Sequence, residues 1–193
     1  QAGRTGKKDG KRVPHYTAGF KTGKGSPYEG GTHVPAFWRW QGVLDEGVDI
    51  SALTAHIDLF KTFIKLAGGN IPQNIQQIDG RSMLPLLEES KSKWEDRQLF
   101  FHKGRWEKEA DPNQNKLKAC AVRTQRWRFV NNEELFDIKK DPFETTNVAA
   151  EHPDIVNFLR EKYDDWWSET VPMMVNEDAP YSVSHPQGVR YEK

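Results

Sequence analysis

Lys24-Gly25-Ser26-Pro27-Tyr28-Glu29-Gly30-Gly31-Thr32-His33-Val34-Pro35 is the stretch on which the reading of this chain turns. Lys24 lies between Gly23 and Gly25, where the backbone can bend sharply and carry an ammonium to an anionic ligand. Gly30-Gly31 predicts a turn with positive φ. The run Val34 to Trp40 then reads as a buried strand, with Pro35 near its start, where a missing N–H matters least. By itself, a lysine between glycines is also what an ordinary solvated loop carries.

The whole segment narrows the choice. Lys24, Tyr28, Glu29, Gly30, Gly31 and Pro35 stand in register with the lysine and the Tyr-(Glu/Asp)-Gly-Gly-x-Arg-x-Pro pattern of sulfatases, and His33 stands where that family carries arginine. The agreement continues through Leu53-Thr54-Ala55-His56-Ile57-Asp58, Leu66-Ala67-Gly68, Asp79-Gly80-Arg81-Ser82, Leu84-Pro85-Leu86-Leu87, Leu135-Phe136-Asp137, Asp141-Pro142 and Asn147. The chain thus resembles the C-terminal portion of the arylsulfatase-like members of the alkaline phosphatase superfamily.

That resemblance implies a fold and a reaction. The fold is an α/β remnant of an alkaline-phosphatase-like domain over residues 1–93, then a small α+β domain over 94–193 with a short antiparallel sheet, a C-terminal helix and a terminal tail. The reaction is hydrolysis of organic sulfate esters, on a sulfated small molecule or sulfated glycan, by a protein that is periplasmic or extracellular. Lys24 corresponds to the lysine that binds a sulfate oxygen near the bridging oxygen, a task suited to a point-like ammonium. The family's formylglycine nucleophile arises from a Cys/Ser-x-Pro/Ala-x-Arg motif, which this chain lacks. Cys120 is followed by Ala121-Val122-Arg123, with arginine one position early and no proline. The family's Ca2+ ligands, two aspartates and an Asp-Asn pair ahead of the lysine, have no counterpart before Lys24. Nucleophile and metal set are expected upstream, and this chain alone is expected to be inactive. Two alternatives stay open: a phosphonate or phosphodiester hydrolase of the same superfamily, and a non-catalytic sulfatase-like binding protein.

Read residue by residue, 193 residues allow one large domain or a small pair. The 36% hydrophobic content is lean, but ten Phe, seven Trp and five Tyr supply core bulk. Net charge is zero, unevenly spread: residues 1–40 hold eight Lys/Arg against two Asp/Glu, and 131–193 hold six against fourteen. A basic start suits anion steering, while so small an excess argues against nucleic acid. No apolar run reaches the roughly 20 residues of a membrane span. The polar start has no apolar leader segment and reads as the middle of a loop. The single cysteine, Cys120, sits in an alternating run and reads as a buried structural thiol.

Residues 1–25 read as irregular and Leu53 to Ala55 as a short strand. Asp58 reads as the N-cap of a helix whose Phe60, Phe63, Ile64 and Ala67 form an apolar face, ended by Gly68-Gly69. Leu84 to Glu89 reads as a short helical piece. Strands are predicted at 98–101, 119–123, 127–131 and 134–138, the middle two joined as a hairpin. Pro153 opens a helix with Ile155, Val156, Leu159, Tyr163, Trp166 and Trp167 on one face. Residues 171–193 read as a tail. His102, at the end of the first of these strands, is a second candidate for a substrate-facing position, and Trp106 beside Arg105 for stacking on a sugar ring. His56 and Glu29 read as loop braces, and Trp38, Trp40 and Trp127 as core.

Overall fold

The computed structural model describes residues 6–8, 11–13, 16–72, 75, 77–104 and 110–173. Its organising element is a four-stranded antiparallel sheet: β3 (Leu99–His102), β4 (Cys120–Arg123), β5 (Trp127–Val130) and β6 (Glu134–Asp137), in sequence order. Each strand alternates its side chains between two faces. Cys120, Val122, Phe129 and Leu135 point one way, onto Leu159, Tyr163 and Trp167 of α4 (Pro153–Thr170). Phe100 of the same face stacks on Trp166, ring centroids 5.1 Å apart. Ala121, Val130, Phe136 and Ile138 point the other way, onto Tyr28. The predicted α+β unit is therefore present, and both faces of its sheet are covered.

Local chemistry makes these turns. Asn131 and Asn132 both hold positive φ in the β5–β6 connection, with Glu133 N–H bonded to Val130 O. Two left-handed residues give the I′ geometry that matches strand twist, and asparagine tolerates it. Arg160 of α4 donates to Asn132 Oδ1 at 2.7 Å, fastening helix to hairpin. The Asp141 carboxylate accepts the Thr145 and Thr146 amides, and Asn147 Oδ1 accepts those of Leu135 and Ala149. Asp141 and Asn147 are thus turn-builders.

The first half departs from its sequence reading. A two-stranded hairpin, β1 (Gly6–Lys8) with β2 (Lys11–Val13), lies inside the stretch read as irregular. Residues 34–40 form no strand and are largely exposed, Phe37 at 94% and Trp40 at 49%, so Trp40 is not core. Leu53 to Ala55 is not a strand either. A strand needs a neighbour for its N–H and C=O groups, and among the described residues none lies beside either segment. Both sheets described are antiparallel.

Helix α2 (Asp58–Leu66) exists where expected, but Ile57, not Asp58, is its N-cap. Its Phe60 and Phe63 are exposed, while Asp58 and Thr62 are buried. Thr62 Oγ1 bridges Asp58 O to the Met83 amide, which leads into α3 (Leu84–Glu88). Gly80 passes so close to Ile57 O that a Cβ would collide with it. The tail past Met173 lies outside the described residues, and Val171–Met173 form a single 3₁₀ turn.

Candidate functional site

Gly23 to Ser26 form a tight turn, with Ser26 N–H bonded to Gly23 O at 3.2 Å and Gly25 at φ +85°. A positive φ at the third position is what a type II turn requires, and glycine supplies it without strain. Lys24 sits at the corner of this turn, exposed, and has no hydrogen bond or ion pair among the described residues. Its ammonium is turned to solvent.

Gly30-Gly31 does not make the positive-φ bend expected of it. Residues Glu29–Thr32 form one helical turn, α1. The glycines are needed for close approach: a Cβ on Gly30 would lie 2.7 Å from Lys21 O and Thr22 O, and one on Gly31 would overlap Ser26 O and sit 2.8 Å from Gly23 O. The Tyr-Glu-Gly-Gly run therefore presses α1 against the backbone that carries Lys24.

A buried ionic cluster holds α1 to the sheet. Arg123 and Arg128 are cross-strand partners on β4 and β5, and like charges directly opposite repel unless an anion lies between them. Glu29 Oε1 is that anion, accepting Arg123 Nε at 2.8 Å and Arg128 Nε at 2.9 Å. Glu29 Oε2 lies 3.3 Å from His33 Nδ1, so His33 pairs with this carboxylate. Burial pushes the Glu29 carboxyl up, but the His33 hydrogen bond and the charges of Arg128 and Arg123 outweigh it and hold it well below the usual range. Arg128 also donates to Pro27 O and Thr32 Oγ1. Glu144, buried in the loop after β6, accepts the Glu29 amide at 2.9 Å. Nearby, Glu134 takes Lys21 at 3.2 Å and the Tyr28 hydroxyl.

Sequence reasoning identified Glu29 as a brace but missed Arg123, Arg128 and Glu144. The signal that could have found the arginines was their pairing in apolar strands, at positions sharing a face with Ala121, Val130 and Phe136.

His102 lies elsewhere, at the end of β3. Its Nδ1 accepts the Gly104 amide at 2.8 Å, its Nε2 is 3.0 Å from Asn115 O, and its ring packs on Trp167. The structure does not bring it into the Lys24 cluster. His56 is exposed, Cys120 is buried, and Trp106 with Arg105 lies outside the described residues.

Among the described residues no group of three or more His, Cys, Asp or Glu side chains is arranged for a metal ion. Of the two buried carboxylates behind the Lys24 turn, Glu29 is committed to arginines and Glu144 to a backbone amide, so these residues do not fit a calcium site. No helix among the described residues is long and apolar enough to cross a membrane.

Comparison with known proteins agrees with this architecture. Residues 23–168, from the Lys24 turn into the last turn of α4, match the family described as N-sulphoglucosamine sulphohydrolase, C-terminal. Human steryl-sulfatase is 42% identical over 83 residues, 43% of this chain and 14% of that protein. Arylsulfatase K of Xenopus laevis is 30% identical over 146 residues, 72% of this chain and 26% of that protein. The crystal structure of Ps i-CgsB superposes with a TM-score of 0.61 at 25% identity, covering 90% of this chain and 36% of that one. The chain spans about a quarter or less of the two curated relatives' length. It belongs to the sulfatase family and corresponds to the C-terminal region of its members.

Proposed function

We propose that this chain is the C-terminal part of a sulfuric ester hydrolase, with residues 1–93 closing the catalytic domain and residues 94–193 forming the C-terminal domain. The substrate is a sulfated small molecule or sulfated glycan. In this reading Lys24 contacts the sulfuryl group as the ester bond breaks, placing a fixed positive charge where negative charge develops. The observation that carries it is the Lys24 turn itself: a solvent-facing ammonium with no ionic partner among the described residues, on a loop fastened from behind by buried charges. Glu29 is excluded as a general acid by its arginines and its depressed protonation range. His102 enters as a residue of the cleft border, supported by its place at the end of β3, where its ring bonds Gly104 and Asn115. The formylglycine nucleophile and the Ca2+ that would polarise the sulfate group belong to residues outside this chain. The division at residue 93 is supported by where apolar surface is exposed: among the described residues Val34, Phe37, Val43, Phe60 and Phe63 are part of the majority that precede it, while Leu117, Phe143, Phe158 and Met173 follow it.

The test is Lys24→Ala in the complete enzyme. A contact made chiefly in the transition state predicts a fall in kcat of about 10²-fold with a smaller change in KM, and only partial rescue by Lys24→Arg. The 193-residue chain with calcium and an aryl sulfate should give background turnover alone. Unchanged turnover in Lys24→Ala would make Lys24 a solvated loop residue. Preference for a phosphodiester or phosphonate over every sulfate ester would move the protein to that branch of the superfamily.

A further inference from the structure

Arg128 gathers one short segment of the chain onto the sheet. It is 2% exposed, and its donors reach three separate acceptors in one short segment: Pro27 O, Glu29 Oε1 at 2.9 Å and Thr32 Oγ1 at 2.8 Å. Those acceptors span α1 from its entry to its last residue. Because Gly30 and Gly31 lie against the backbone of Lys21 to Ser26, any shift of α1 shifts the Gly23–Ser26 turn with it. Arg128 therefore sets the position of Lys24 without touching it.

Glu144 is the irregular member of this cluster. It is 1% exposed and holds φ +58°, a conformation disfavoured for a residue with a Cβ. Its Oε2 accepts the Glu29 amide, but its Oε1 has no hydrogen-bond partner and lies 3.6 Å from Arg128 Nε, which is already committed to Glu29. The groups facing it are the Glu29 carboxylate and Lys21 from the preceding segment and Arg128 from β5. Tyr28 also senses its charge, and Arg123 and His33 act through Glu29. An ionised Glu144 would be a second buried anion beside Glu29, with one oxygen lacking a donor. Burial, with the Glu29 charge adding to it, pushes the Glu144 carboxyl up to about 7 against the pull of the Glu29 amide and Arg128.

We propose that Arg128 is the positioning residue for the Lys24 turn, and that Glu144 makes its grip proton-dependent, firm when Glu144 is neutral and looser when it is ionised. The importance of that turn for catalysis rests on the sulfatase reading; the clamp itself does not.

Amide hydrogen exchange on the 193-residue chain tests this without any substrate. The amides of Ser26, Gly31 and His33 are bonded to Gly23, Tyr28 and Glu29 carbonyls, and their protection reports the segment. Between about pH 5.5 and pH 8 their protection factors should fall about tenfold, while those of β5 and α4 fall only as far as global stability does. Glu144→Gln, isosteric and uncharged, should hold the high protection across the range. Arg128→Lys keeps the charge but cannot reach three acceptors, and should lower protection of these amides about tenfold at every pH, with β5 and α4 intact. A pH dependence that survives Glu144→Gln overturns the proton-dependent grip. Undiminished protection in Arg128→Lys overturns the positioning role; should that variant unfold, Glu144→Gln and the wild-type profile still decide. The clamp can fail with Lys24 still catalytic, and Lys24→Ala can leave turnover intact with the clamp confirmed, so the two readings fall separately.

Discussion

Asp58 and Arg97, thirty-nine residues apart, meet through two parallel bonds, Nη1 donating to Oδ1 at 2.8 Å and Nη2 to Oδ2. Asp58 is 0% exposed and also accepts the amides of Ala55 and Arg81, so one carboxylate fastens three loops and the start of α2. Arg97 additionally reaches Leu53 O, which takes the Trp94 indole N–H as well. Gln125, in the β4–β5 turn, donates to Ser51 O and accepts the Leu53 amide. Residues 51–58 are strapped to the sheet by polar groups, not by apolar packing.

Removing one partner of that pair should therefore be costly. Asp58→Ala leaves the Arg97 charge buried and two amides without acceptors, and should destabilise the chain by about 3–5 kcal/mol. Urea denaturation of the variant against wild type measures it. Burial pushes the Asp58 carboxyl up, but Arg97 and the two amides hold it below the usual range, so its contribution is present above the ordinary aspartate range and lost as pH falls. A loss under about 1 kcal/mol would show that the pair is not buried in solution.

Three glycines should behave differently on substitution by alanine. Gly25 has open space around its missing Cβ and only its φ of +85° to resist, so Gly25→Ala should cost about 1 kcal/mol. Gly31 and Gly80 meet backbone carbonyls of Ser26 and Ile57 inside contact distance. Those variants must displace main chain and should each cost about 2–4 kcal/mol, with Gly31→Ala also lowering protection around Ser26. Thermal unfolding of the three variants ranks them, and equal shifts would contradict the close-approach explanation.

Stability should decline from mildly acidic toward alkaline pH. Glu144 is raised in the folded chain, to about 7, so it binds a proton that the unfolded chain releases nearer the ordinary glutamate range. Its stabilisation is full below the unfolded value and disappears as pH rises through the folded one, at most about 3 kcal/mol in total. Glu29 acts in the opposite sense, present at neutral pH and lost in acid. Denaturation midpoints taken from about pH 4 to pH 8 should peak near pH 5 in wild type and stay level to pH 8 in Glu144→Gln. A wild-type maximum at pH 8 would contradict the neutral state of Glu144.

The exposed apolar surface of the first half gives a solubility prediction. Phe37, Phe60 and Phe63 are open to solvent, and Phe63 packs only partly on Trp38, ring centroids 5.8 Å apart. Exposed apolar surface of this kind binds hydrophobic dyes and promotes association. Phe37→Lys combined with Phe60→Lys should reduce dye binding and self-association while changing unfolding free energy by no more than about 0.5 kcal/mol per site. A large loss of stability would mean that these rings are core.

Sequence patterns that depend on near neighbours were legible. The strand alternation of residues 120–137, the helix opened by Pro153 with Leu159, Tyr163 and Trp167 on one face, and the short helix at Leu84 all appear close to where periodicity puts them. Val34 to Trp40 failed because an apolar run becomes a strand only when another strand takes its backbone groups. The face of α2 was read correctly as apolar, and its Phe60 and Phe63 are open to solvent in the fold, since amphipathicity records what a helix is built to meet.

The sequence by itself determined the family, the sheet-and-helix unit and the turn that bears Lys24, because each is written in residues adjacent along the chain. Only the tertiary structure decided what the Tyr28-Glu29-Gly30-Gly31 run is for. Its glutamate pairs with two arginines nearly a hundred residues away, and its glycines admit carbonyls from another turn. A charge in a strand and a missing Cβ look alike in a sequence whether they face water or a partner. Burial and distance separate the two cases, and both are properties of the folded chain.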